Sequence, residues 1–246
     1  MPISDTFTSI FSKKWEINFT QCTPNGYLKY TDLCNLLQLT AAAHSEIGGI
    51  SFSDMQQFNQ AWVLSRIRVE LNELPKWKDT ITVKTWIKSL ENTRSIRALE
   101  VYVNERKVAG AESFWAVFNT QSRRPEALAL PYEHFELYPQ QSATEKSFSK
   151  VNLDFEKEIV NKKIVALSDL DIVNHVNNVK YLEWCLDFVD EDYILKQKID
   201  SIEMNFMKEL SLKEEVSIYR KNTEKQITFG ISKEDKNCFA LELNLR

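Results

Sequence analysis

The hydrophobic pattern of this chain runs through the same series twice: one extended segment, one helix, then a run of extended segments. In the first pass, residues 15–20 (WEINFT) alternate in period two, as a half-buried strand does. Thr23-Pro24-Asn25-Gly26 reads as a turn. From Tyr30 to Ile47 the period becomes helical. Leu33, Leu36, Leu37, Thr40, Ala41, His44 and Ile47 share one face, and Gly48-Gly49 stops the helix. Extended segments follow at 62–71, 80–90, 93–103 and 108–119, with a hairpin turn at 104–107. The second pass opens with an extended segment at 158–167 and a loop at 168–178. A helix is expected from Asn178 to Asp190, with Val179, Leu182, Leu186 and Val189 on one face. Strands are expected at 201–207, 215–221, 226–232 and 239–245. One strand, one helix and an antiparallel run, twice over, predict an α+β chain whose sheets wrap their helices. The polar stretch 138–157 predicts a linker between a domain at 1–137 and a second at 158–246.

Composition narrows the functions. Only 5 of the 246 residues are glycine, and neither GxGxxG nor GxxxxGK[ST] occurs, which excludes the usual phosphate-cradling loops. The net charge of −4 gives no support to nucleic-acid binding. Residues 136–246 carry 16 Lys+Arg against 21 Asp+Glu, so the acidity lies in the second half. Aromatics make up 11% of the chain, suiting broad sheets packed on greasy material. Cys22, Cys34, Cys185 and Cys238 show no CxxC or zinc-ligand spacing, so reduced thiols and a cytoplasmic protein are expected. The first fifteen residues lack an apolar run and include Asp5, and no stretch approaches a membrane span. Neither a membrane nor a nucleic-acid partner is expected.

Reactive side chains crowd where the second series turns from strand to helix: Asp169, Asp171, Asn174, His175, Asn177, Asn178, Lys180 and Tyr181. Asn177 or Asn178 can cap the helix, whose first N–H groups would then face the loop and could stabilise an oxyanion. Asp171 and His175 lie in that loop. A carboxylate beside an oxyanion site suits acyl hydrolysis, as a base for water or as a nucleophile. Caps and turns account equally well for Asp and Asn taken singly; the whole phrase is what points to chemistry.

That phrase, Asp169-Leu170-Asp171 followed by His175-Val176-Asn177-Asn178, Lys180-Tyr181 and Trp184, resembles the signature of the acyl-ACP thioesterases. These enzymes release fatty acids from acyl carrier protein. Residues 62–86 and 114–125 resemble two further tracts of the family, so the likeness spans most of the chain. It implies two tandem hotdog domains, each a long helix wrapped by an antiparallel sheet. It also implies hydrolysis of fatty acyl-ACP in fatty acid biosynthesis, with acyl carrier protein as partner and no metal or nucleotide cofactor. Sheets of this fold commonly pair, so a homodimer is compatible with it.

Residue by residue, the resemblance places the catalytic acid on Asp171, the histidine on His175 and a glutamate on Glu209. Asn177 and Asn178 fall at the helix start as substrate-binding positions. The family's cysteine beside that glutamate is Leu210 here, so a thiol mechanism there is impossible and a carboxylate mechanism is favoured. The family reads Asp-x-Asn-x-His, whereas this chain has Val173 and then Asn174 before His175. Either Asn174 supplies the amide through a local backbone shift, or the role is vacant. An apolar residue at Val173 is common in acyl-CoA hotdog thioesterases, which are the alternative reading. A non-catalytic acyl-binding hotdog protein is another.

Aligning the two series sets Thr23 opposite Asp171, Tyr27 opposite His175 and Leu74 opposite Glu209. The first unit lacks all three charged groups. One site is therefore expected, in the second domain, with the first supplying acyl-tunnel wall and scaffold. His44 is expected as a core or tunnel histidine, Cys185 as packing, and His134 has no evident role. Lys76, Lys78, Arg106, Lys107, Arg123 and Arg124 are candidates to meet an acidic carrier.

Overall fold

A computed structural model describes residues 3–246. The chain forms two compact units. The first comprises residues up to Ser65 and Asn72–Ser147; the second comprises Arg66–Leu71 and Phe148–Arg246.

The first unit contains β1 (Ile10–Glu16), α1 (Tyr30–Ile47), α2 (Phe52–Gln56), the leading end of β2 (Gln60–Leu71), β3 (Thr80–Glu91), β4 (Arg94–Val103), β5 (Arg106–Asn119) and the short β6 (Arg124–Pro125). Its sheet runs β1-β3-β4-β5-β2, with β6 on β5. The helical period predicted for Tyr30–Ile47 is the observed α1. Leu33, Cys34, Leu36, Leu37, Thr40, Ala41 and His44 form its buried face, which lies on β3 and β1. Gly49, at φ +72°, ends the helix: the Ile50 N–H reaches the Ser45 carbonyl at 3.0 Å, closing the last turn. Between β4 and β5, Asn104 and Glu105 both adopt positive φ, the backbone of a two-residue hairpin turn.

The second unit contains β7 (Glu158–Ile164), α3 (Asn178–Leu186), α4 (Glu191–Leu195), β8 (Ile199–Phe206), β9 (Glu215–Asn222), β10 (Gln226–Lys233) and β11 (Lys236–Leu245). Its sheet order, β7-β9-β10-β11-β8, repeats that of the first unit, and the last residues of β2 pair with β8. Val179, Tyr181, Leu182, Trp184 and Cys185 are the buried face of α3. The Tyr181 ring lies 5.2 Å from that of Phe239 on β11.

Three expectations are corrected. Strand β1 stops at Glu16, because Asn18 accepts from the Thr20 N–H and starts a 3-10 turn, Phe19–Gln21, in place of further strand. Likewise β7 stops at Ile164, before the 3-10 turn Leu167–Asp169. The second helix ends at Leu186, four residues short of Asp190. Asp190 instead caps the separate α4, accepting from the Asp192 N–H at 2.8 Å.

The polar stretch 138–157 lacks regular structure, yet its backbone is held. The Tyr138 N–H donates to the Ile87 carbonyl at 2.9 Å, and the Trp86 indole to the Gln141 carbonyl at 3.1 Å. Farther on, the Val151 N–H donates to Asn205 Oδ1 at 2.8 Å. Ala143 and Val151 are buried. Gly110 on β5 is what lets this segment lie flat, since a Cβ there would collide with the Ala143 carbonyl. Gly110→Ala should cost about 1–3 kcal/mol, the usual scale of overpacking between rigid backbones. Urea unfolding would check this, and an unchanged midpoint would refute the close approach.

Candidate active site

The loop between the 3-10 turn and α3 is closed by its own backbone. The Asp171 N–H donates to the His175 carbonyl at 2.8 Å, and the Asn174 N–H donates to the Asp171 carbonyl at 3.1 Å. Leu170 and Val176 bridge at its neck. Asn174 takes φ +65°, a left-handed position that asparagine tolerates better than most residues, which accounts for its place here. The loop is anchored from outside by the Val176 N–H, which donates to the Leu210 carbonyl at 2.9 Å. That bond brings Glu209 to the loop: His175 Nε2 stands 3.3 Å from Glu209 Oε1, close enough to ion-pair when the imidazole is protonated.

Asp171 is half-buried, and its two oxygens differ. Oδ1 accepts from the Val173 N–H at 3.0 Å and the His175 N–H at 3.3 Å, which fixes the carboxylate in the loop. Oδ2 takes no hydrogen bond from any described residue, so it is available to water or to an electrophile. Asp171, His175 and Glu209 thus lie in one small region of the second unit. Neighbouring Asp169 has another task. Buried, it accepts from the Ala166 N–H at 2.8 Å and from the Trp184 indole at 3.3 Å, and its Oδ2 lies 3.4 Å from Lys163 Nζ. It ties β7, the loop and α3 together, a role that its place in the Asp169-Leu170-Asp171 phrase did not reveal.

The helix start differs from expectation. Asn177 is the cap: its Oδ1 accepts from the Val179 N–H at 3.0 Å, and its carbonyl accepts from the Lys180 N–H at 2.9 Å. Two first-turn donors are therefore engaged by Asn177 itself. What α3 offers a ligand is chiefly the field of its positive end. Asn178 is the first helical residue.

The first unit repeats this framework without its charged side chains. The Thr23 N–H donates to the Tyr27 carbonyl at 2.8 Å, and Gly26, at φ +82°, donates to the Thr23 carbonyl at 2.8 Å. Cys22 and Leu28 form the neck, and the Leu28 N–H reaches the Pro75 carbonyl at 2.8 Å. Each bond has its counterpart around Asp171. The equivalences Thr23/Asp171, Tyr27/His175 and Leu74/Glu209 are therefore structural, and Gly26 occupies the place of Asn174.

The remaining cysteine and histidine candidates are accounted for by packing and hydrogen bonding. Cys185 is wholly buried, and burial pushes its thiol far above the ordinary range. His134 Nε2 bonds the Gly48 carbonyl at 2.9 Å, securing the end of α1. His44 is fully buried: Nε2 bonds the Thr8 carbonyl at 3.0 Å and Nδ1 bonds Arg97 Nη1 at 2.8 Å. All four cysteines are free. Among the described residues, no group of three or more His, Cys, Asp or Glu is placed to hold a metal ion, and no helix is long and apolar enough to cross a membrane. Cavities of about 370 and 350 Å³ open on the second unit, and none of Asp171, His175 and Glu209 lines either.

An antiparallel sheet with its helix in each unit, and a carboxylate–histidine loop at one helix start, define an α+β chain of the hotdog class. Residues 8–134 match the family model of the acyl-ACP thioesterase N-terminal domain, and residues 161–240 match that of the C-terminal domain. The chain belongs to the acyl-ACP thioesterase family. It is 26% identical, over 90% of its length, to a chloroplastic palmitoyl-acyl carrier protein thioesterase of Gossypium hirsutum, covering 58% of that protein. It is 22% identical, over 81% of its length, to the chloroplastic oleoyl-acyl carrier protein thioesterase 1 of Arabidopsis thaliana, covering 60% of it. The chain thus spans a little over half the length of these curated relatives. Among solved structures, an acyl-ACP thioesterase from Bacteroides thetaiotaomicron superposes with a TM-score of 0.89 at 23% identity, covering 97% of this chain and 98% of the other. A 12:0-ACP thioesterase from Umbellularia californica gives 0.82 at 20% identity, with the same coverage.

Proposed function

We propose that this chain hydrolyses the thioester of a fatty acyl-acyl carrier protein, releasing the free fatty acid and the carrier's thiol. The observation that carries the reading is the Asp171 carboxylate. One of its oxygens is pinned by two backbone N–H groups and the other accepts from no described residue, in the loop that also holds His175 against Glu209. Water adds its hydroxyl to the acyl carbon, the C–S bond breaks and the sulfur gains a proton. Asp171 serves as the base for that water or as the nucleophile; the geometry suits both. His175, facing Glu209, is positioned to pass the proton to the departing sulfur. The positive end of α3 favours the oxygen on which negative charge develops. Asn177 holds that helix end in place, Asn178 opens it toward substrate, and Asn174 makes the turn that aims Asp171. The second unit is the catalytic domain, joined through the 138–157 segment to an N-terminal domain that forms scaffold and acyl-tunnel wall. Free cysteines support a reducing compartment, which we take to be the cytosol.

Purified protein incubated with palmitoyl- or oleoyl-ACP should release titratable thiol at a rate proportional to enzyme. An intact thioester after prolonged incubation would overturn the proposal. Val173, apolar at a position that suits acyl-CoA enzymes, keeps one second reading in play. Comparing kcat/KM for matched acyl-ACP and acyl-CoA decides between them.

A further inference from the structure

We infer that the carrier protein docks on a rim of the second unit built from the segments that frame Asp171, an inference that rests on the carrier-thioester reading above. Seven large apolar side chains are exposed in the second unit. Six of them, Ile164, Leu167, Ile172, Val173, Met207 and Leu212, lie on just three segments: the end of β7 with its 3-10 turn, the Asp171 loop, and the turn carrying Glu209. Exposure reaches 86% at Ile172 and 75% at Leu167, values a lone soluble unit has no packing reason to concentrate at one place.

The three segments are contiguous. The Val165 N–H donates to the Glu214 carbonyl at 2.9 Å, and the Lys213 N–H donates to the Val165 carbonyl at 3.0 Å. The bond from Val176 to Leu210 joins the loop to the same turn. An apolar rim therefore surrounds the reactive carboxylates, where the flexible arm of a carrier must deliver its thioester.

Charge selects the partner. Residues 136–246 carry a net −5, which by itself repels an acidic protein. On the rim, however, Lys208 and Lys213 are exposed, and neither makes an ion-pair contact with a described carboxylate, although the Lys208 charge is felt at Glu214. Other cations nearby are spoken for: Lys163 faces Asp169, and Lys233 bonds Glu214 at 2.6 Å. Two exposed lysines beside exposed aliphatic groups suit an acidic, partly apolar face of an acyl carrier protein.

The test compares the wild-type chain with Lys208→Glu/Lys213→Glu and, separately, Ile172→Asp. Each is assayed on acyl-ACP and on the same acyl group carried by N-acetylcysteamine, which has no protein to dock. KM for acyl-ACP should rise about tenfold or more in the double variant, the equivalent of losing two complementary charge contacts. The small thioester should be cleaved as by wild type. Unchanged KM for acyl-ACP would overturn the proposal. So would a changed oligomeric state with carrier kinetics intact, which would assign the rim to a second copy of the chain. Titration with holo-carrier protein, which bears no acyl group, separates this from failure of the hydrolysis reading. Binding lost only in the variants supports docking whatever the turnover, and equal binding in all three overturns it.

Discussion

Asp171→Asn should lower kcat on acyl-ACP on the order of 10³-fold while leaving the loop folded, the scale of losing one well-positioned base or nucleophile. The asparagine amide oxygen can keep both hydrogen bonds that Oδ1 now accepts, from Val173 and His175. The backbone pair between Asp171 and His175 is untouched by the change. What disappears is the negative charge and the basic lone pair of Oδ2. Asp171→Ala removes the two accepted bonds as well, and should add about 1 kcal/mol of destabilisation to a similar catalytic loss. The contrast separates chemistry from architecture: comparable turnover defects with different melting temperatures indicate that the charge matters to the reaction. Asp171→Asn retaining a tenth of wild-type kcat would remove Asp171 from the chemistry. Glu209→Gln probes the other half of the site. Losing the carboxylate across from His175 weakens its hold on the imidazolium, so the defect should fall on kcat more than on KM.

How far these features were legible depends on whether their cause is local. The period of α1 and the Gly48-Gly49 stop are written within eighteen residues and their neighbours, and the helix lies where its pattern puts it. The alignment of Thr23 with Asp171, Tyr27 with His175 and Leu74 with Glu209 also came from the sequence. It reappears as matched backbone hydrogen bonds, because the turn geometry is set by the backbone and tolerates different side chains. Other features arise from competition that a periodicity does not register. WEINFT alternates through Asn18, but although Ile17 still bonds Asp79 and Lys78 through its backbone, the asparagine side chain caps the next turn and ends the strand. The helix start looked open to an oxyanion until the cap was seen to occupy its donors. The 138–157 stretch reads as solvated by composition. Its burial rests on small residues, Ala143 against Gly110, a contact between positions more than thirty residues apart. Arg97 is the clearest case. Within RSIRALEVYV it passes for a surface position, yet it is buried under α1.

That buried arginine leads to the second large effect, a loss of stability in acid centred on His44. The ring is fully enclosed and stacks at 5.7 Å on Phe7 and 5.6 Å on Phe11. Burial, with the Arg97 guanidinium beside it, lowers its pKa from 6.5 to about 3. Arg97 donates to Nδ1, which makes Nε2 the protonated nitrogen and the donor to the Thr8 carbonyl. Arg97 is itself fully buried, and burial brings it down to about 10, so it stays charged across the working range. A second positive charge on His44 would face it directly, on a ring already stacked against Phe7 and Phe11. The native state therefore excludes a proton that the unfolded chain accepts below pH 6.5. The stability tied to the neutral ring is complete above that pH and is lost progressively as pH falls toward 3. Integrated over the whole shift, the loss approaches about 5 kcal/mol. His44→Gln offers an acceptor to Arg97 and a donor to Thr8 but cannot be protonated. It should be less stable than wild type near pH 8, where the imidazole packs best. By pH 4.5 the gap should have narrowed by about 2–3 kcal/mol, the part of the shift already crossed. Denaturant unfolding of both proteins across this range checks it, since the remaining carboxylates contribute equally to each curve. Parallel stability curves would mean that His44 protonates in place, and that the Arg97 pair is looser than its 2.8 Å contact implies.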